Sequence, residues 1–139
     1  MPLERFSAPP VKGGNSPWDT IQHTAELAVG IVQVHTAGHG GFWISDTRRQ
    51  WMPLSLGKIE TFAGGNWYEE DCDWAIVVMA FPDHFTSETC HHALLMAKHH
   101  ELDPKADFLA ACRRRASEYA EAAAADRSED RLRLMEGGM

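Results

Sequence analysis

The sequence has no apolar run long enough to cross a bilayer. Its longest, Trp74 to Phe81, falls far short of the roughly 20 residues a membrane helix needs. The opening residues, Met1-Pro2-Leu3-Glu4-Arg5-Phe6, contain no apolar h-region, so neither secretion nor membrane insertion is expected. Cysteine is scarce: three residues, Cys72, Cys90 and Cys112, none in CxxC spacing. That argues against a disulfide framework and fits reduced thiols in a cytoplasmic protein. Basic residues are outnumbered, 13 Lys and Arg against 20 Asp and Glu, for a formal net charge of -7. That sign disfavours direct binding to nucleic acid, which needs clustered cations. It suits a protein partner that is itself basic, including a nucleic-acid-binding protein. Catalytic signatures are missing too. There is no GxSxG elbow, no HExxH and no GxGxxG, and Gly38 to Gly41 is not followed by Lys-Ser or Lys-Thr. No cofactor is called for.

What is present is a chain of one-domain size, 139 residues, 44% hydrophobic and 24% charged. Five Trp is a high count for this length, enough to weight a small core or a contact surface. Residues 1–16 carry prolines and glycines and read as a flexible arm. Ile21 to Ala28, Ile31 to Thr36 and Phe42 to Ile44 read as three short antiparallel strands, the second strongly β-branched. Ser45 caps a short helix that Pro53 ends. Residues 54–66 read as a loop. The acidic residues from Glu69 predict a helix start, with Trp74, Val77, Val78 and Phe81 along one face and Pro82 as its stop. Thr86 or Ser87 opens a helix running to about His100. Asp103 and Pro104 open the last one. The expected fold is α+β. A three-stranded antiparallel sheet packs on three to four helices, with a long C-terminal helix. Residues 17–125 form one domain, of which 86–125 is a helical hairpin. Residues 126–139 are a charged helical extension or tail.

Three constellations could carry chemistry. His39 lies between glycines in Gly38-His39-Gly40-Gly41, where a ligand can approach and a proton can be exchanged; the plainer reading is a tight turn. Glu69, Glu70, Asp71 and Asp73 put four carboxylates in five residues, a set that could hold a hard cation or split its pKa values. Its plainer reading is an acidic helix start, with Glu69 and Asp73 as i, i+4 neighbours. His91, His92 and His99 would share one face of a helix and are weak candidates for a transition metal. An ordinary histidine-rich exposed helix explains them as well. Arg113-Arg114-Arg115 reads as a solvated face.

The blocks Pro17-Trp18, Ile21-Gln22-His23, Thr36-Ala37-Gly38-His39-Gly40-Gly41 and Trp67-Tyr68-Glu69-Glu70-Asp71-Cys72-Asp73-Trp74-Ala75 resemble an uncharacterised bacterial domain family. That family occurs in proteobacteria, their phages and plasmids. The resemblance spans residues 17–85 and implies a cytoplasmic protein carried on a mobile element. It transfers no catalytic role.

Three functions follow in order. The first is a non-enzymatic protein-binding protein, such as a phage or plasmid inhibitor of a host defence complex of the anti-CRISPR kind. Its contact surface would include Trp67, Tyr68, Glu69, Glu70, Asp71 and Asp73. The second is a small metal-dependent or acid/base enzyme in which His39 meets two of those carboxylates. The third is a homo-oligomeric domain, such as a homodimer, using the last helix with Leu132, Leu134 and Met135.

Overall fold

The computed structural model describes residues 9–137, and side chains up to residue 129. Expectations for the rest of the leader, and for the side chains of Leu132, Leu134 and Met135, lie outside the described residues.

The fold is α+β. Strand β1 (His23–Ala28) turns through Val29 and Gly30 into β2 (Ile31–His35), and β3 (Gly40–Ile44) follows. Gly30 sits at φ +86°, the left-handed region that a tight turn asks of glycine. A side chain there would also strike Ser45 Oγ and the Arg48 stem. Helix α1 (Asp46–Trp51) is capped as expected: Arg48 N–H donates to Ser45 Oγ at 3.1 Å. The short α2 (Leu54–Gly57) interrupts the expected loop. It docks through the fully buried Leu56.

The sheet has a fourth strand. Trp67–Glu69 forms β4 and pairs antiparallel with β3, giving the order β1-β2-β3-β4. The expected helix start at Glu69 is therefore corrected. Trp67, Tyr68 and Glu69 alternate across the sheet, and helix α3 begins only at Trp74 (Trp74–Ala80). Glu69 and Asp73 are not helical neighbours. Helix α3 is buried from Ala75 to Met79, not along one stripe alone, because it lies between sheet and outer helices.

Helix α4 (Ser87–Leu95) is capped by Thr86 and ends earlier than expected, and a 3₁₀ turn (Lys98–His100) follows. Glu101 terminates that turn in the left-handed conformation, φ 60°. Asp103 accepts from Lys105 N–H and caps no long helix. The last helix, α5 (Ala110–Gly137), starts after a separate 3₁₀ turn (Asp107–Leu109). Helices α4 and α5 pack closely as a hairpin. Arg113 and Arg115, expected in solvent, tie that hairpin down. Arg113 Nη1 donates to Ala106 O at 2.6 Å, and Arg115 Nη2 donates to Phe85 O.

Two cores result. Ile31, Phe42, Ile44 and Tyr68 face the helices. Val32, Val34 and Trp43 face the other way, covered by Ile21, Trp18 and Trp67. The segment before β1 is held on that second face by Gly13 N–H to Ile21 O and Ile21 N–H to Gly14 O, both 2.8 Å.

Candidate functional site

Strand register decides which functional candidates can meet. Gly41 pairs with Glu69, and Trp43 with Trp67, so Glu69 and Trp67 share the outer face of the sheet. The β2–β3 loop places His39 at that end. Thr36 N–H and Oγ1 both donate to His39 O at 2.8 Å, fixing a tight loop with the imidazole exposed. A groove of about 340 Å³ lies there, lined by Trp18, His39, Phe62, Glu69 and Cys72. His39 and one predicted carboxylate, Glu69, do converge.

The other acids disperse. Glu70 points to the helix side and lines a separate cavity of about 220 Å³ with Gln33, His35, Phe42, Trp74 and Thr89. Asp71 is exposed beside Glu69. Asp73 is only 5% exposed, and its Oδ2 accepts from Phe62 N–H at 2.7 Å. It anchors a loop from inside. Tyr68 is 1% exposed, with its hydroxyl 3.7 Å from Met52 Sδ. Tyr68 and Asp73, expected on a contact surface, are therefore interior residues. Trp67 is half-buried, edge to face with Trp18 at 5.5 Å between ring centres.

Glu69 is the carboxylate that lines the groove. Burial pushes the Glu69 carboxyl above its ordinary 4.5. Hydrogen bonding and repulsion from Asp71 push it the same way, Asp73 adds to this, and His39 opposes it. Burial also raises the Cys72 thiol, reinforced by the charges of Asp73, Glu69 and Asp71, so Cys72 is a poor nucleophile. Phe62, 86% exposed, lines the same groove as Glu69. Its loop is fixed at both ends. Thr61 Oγ1 donates to Trp67 O at 2.9 Å, and Asn66 Nδ2 donates to Ile44 O and Asp46 Oδ1 at 2.7 and 2.8 Å. A large aromatic ring is thus held in water by a braced loop.

The histidines part company. His91 and His92 gather around Tyr119, at 5.1 and 6.1 Å between ring centres, and His92 faces Glu88 at 3.7 Å. His99 stacks edgewise on His100, whose Nε2 donates to Cys72 O at 2.9 Å. Helix α4 ends between the pairs, so His91, His92 and His99 share no face. Among the described residues, no three His, Cys, Asp or Glu side chains are grouped to hold a metal. Nor is any helix among them long and apolar enough to cross a membrane.

Trp18 and Phe62 are the site residues that sequence reasoning missed. The signal for Phe62 was present: a lone aromatic in the glycine-bearing stretch Thr61-Phe62-Ala63-Gly64-Gly65. Trp18 stood only in the Pro17-Trp18 block of the family resemblance.

Comparison with known proteins gives one family. The sequence model of a domain described as a domain of unknown function (DUF7007) matches residues 11–131. No curated protein and no solved structure matches the chain.

Proposed function

Because the chain belongs to the DUF7007 family, a domain of unknown function, its role must be read from its own surface, and we propose that it is a protein-binding module. The outer-face groove takes a basic and apolar segment of a partner. The observation that carries this is Phe62, 86% exposed on a braced loop and lining the same groove as Glu69, whose carboxyl is crowded by Asp71. Exposed aromatics that are held rigid pay little entropy on docking and recur as binding hot spots. The carboxylates select a cation beside the apolar group, and the net charge of -7 favours the same partner. A basic nucleic-acid-binding protein or a host defence complex has that chemistry. An inhibitor carried on a phage or plasmid, acting as anti-CRISPR proteins do, is the finer form of this proposal.

The test uses short peptides in which arginines flank a phenylalanine, titrated into the protein and followed by nuclear magnetic resonance. Saturable shifts are expected at the Trp18 indole, Phe62 and Glu69. Phe62→Ala, or Glu69→Gln combined with Asp71→Asn, should weaken binding at least about tenfold. Equal binding of peptides with glutamate in place of arginine would sink the reading.

A further inference from the structure

The cavity on the helix side of the sheet is separate from the peptide groove. It measures about 220 Å³ and is lined by Gln33, His35, Phe42, Glu70, Trp74 and Thr89. Drug-sized sites begin at roughly 300 Å³, so a ligand here is small. No Lys or Arg lines it, and Glu70 is its one carboxylate.

Strand register builds its floor. His35 pairs with Gly40, and Glu70 N–H donates to Gly40 O at 3.0 Å, so the three form one row across the sheet. Residues opposite one another share a face. The middle member has no side chain. A Cβ at Gly40 would lie 3.2 Å from Glu70 Oε2 and 3.5 Å from His35 Nδ1. The carboxylate and the imidazole therefore reach over the glycine toward the same point, yet they form no ion pair with each other. Among the described residues, the side chains of Gln33, His35 and Glu70 have no hydrogen-bond or ionic partner. Nor is a third metal-binding side chain grouped with His35 and Glu70 among them, so an organic donor suits the gap better than a metal ion. Unpartnered polar groups that converge beside aromatic walls are the usual make-up of a small-molecule site.

We propose that this cavity binds a small primary amine with an apolar body. The ammonium sits over Gly40 and donates to Glu70 Oε2 and His35 Nδ1, and the body lies against Phe42 and Trp74. An ammonium fits because it brings three donors and a positive charge to two acceptors, one of them a carboxylate. Trp74 and Thr89 stand in the first turns of α3 and α4, whose positive ends oppose a cation. Asp73 and Glu88, at those same ends, offset them. Glu70 and His35 are exposed, which keeps the affinity modest.

The proposal is tested on the full chain with benzylamine, benzyl alcohol and benzoate at constant ionic strength, followed by nuclear magnetic resonance. Saturable shifts are expected with benzylamine at the Trp74 indole and the Gln33 side-chain amide. Benzyl alcohol should bind much more weakly and benzoate not at all. Glu70→Gln should weaken benzylamine binding at least about fivefold, and His35→Leu at least about twofold. Both side chains are exposed, so each variant should keep the parent's melting temperature. Phe62→Ala should leave binding unchanged, which separates this site from the peptide groove. Absence of saturable shifts at Trp74 and Gln33, shifts confined to Trp18 and Glu69, benzyl alcohol as tight as benzylamine, or affinity indifferent to Glu70→Gln would overturn the assignment.

Discussion

Gly41 has no room for a side chain. A Cβ there would lie 2.1 Å from Tyr68 O and 2.7 Å from the Trp18 ring. The close approach of β4 to β3, and the seat of Trp18 over them, both depend on that gap. Gly41→Ala is expected to cost about 3 kcal/mol, since the neighbour is backbone and cannot swing away. Chemical denaturation would show it, and a loss below roughly 0.5 kcal/mol would mean that β4 shifts freely. Glu69 offers a second residue-scale test. Its folded-state pKa is raised above 4.5, so the folded protein holds that proton more tightly than the unfolded chain. The stabilising contribution is complete below 4.5 and is lost as pH rises through the raised value. Near neutrality the ionised carboxylate opposes folding. Glu69→Gln should therefore match the parent in melting temperature below 4.5 and exceed it near neutrality. A variant less stable than the parent near neutrality would contradict the like-charge crowding around this carboxyl.

At the scale of elements, legibility depended on whether local signals agreed. Strand β2 was plain from its β-branched run, and Ser45 and Thr86 were readable as caps because a hydroxyl at an N-cap is a local device. Strand β4 was hidden because its three residues run directly into acids that mimic a helix start. Only pairing with β3, across more than twenty residues, decides it. The end of α4 was hidden for another reason. Neither glycine nor proline marks Leu95, and Glu101 takes the left-handed role usually given to glycine. The candidate site was half legible. The alternation of β4 puts Glu69 on the side of His39 and sends Glu70 to the other, which a helical reading could not anticipate. Strand β1 shows a device that composition hides. It is an exposed edge, and its register breaks between Glu26 and Ala28, a bulge that makes a further strand harder to add. Helix α5 runs past the body: from Ala120 to Glu129 every side chain but Ala123 is exposed. At about 1.5 Å per residue, that leaves an exposed, alanine-rich spur of about 15 Å on a packed hairpin.

On the whole molecule, charge and shape work at different ranges. The net charge of -7 is felt over the Debye length, about 10 Å at 0.1 M salt, and therefore acts on approach. Phe62 and Trp18 act only on contact, through apolar area taken from water. The proposed protein-binding function predicts that these two terms separate kinetically. For the arginine-phenylalanine peptide, raising salt from about 0.05 to about 0.5 M should slow association at least severalfold and leave dissociation nearly unchanged. Phe62→Ala should do the reverse, speeding dissociation while association keeps its salt dependence. Stopped-flow fluorescence of Trp18 and Trp67 reads both rates. If salt acted mainly on dissociation, the peptide's charges would be buried in direct ion pairs, and Glu69 and Asp71 would be the anchors with Phe62 only their cover. If salt acted on neither rate, the acidic surface would have no part in recognition, and the choice of a basic partner would fall with it.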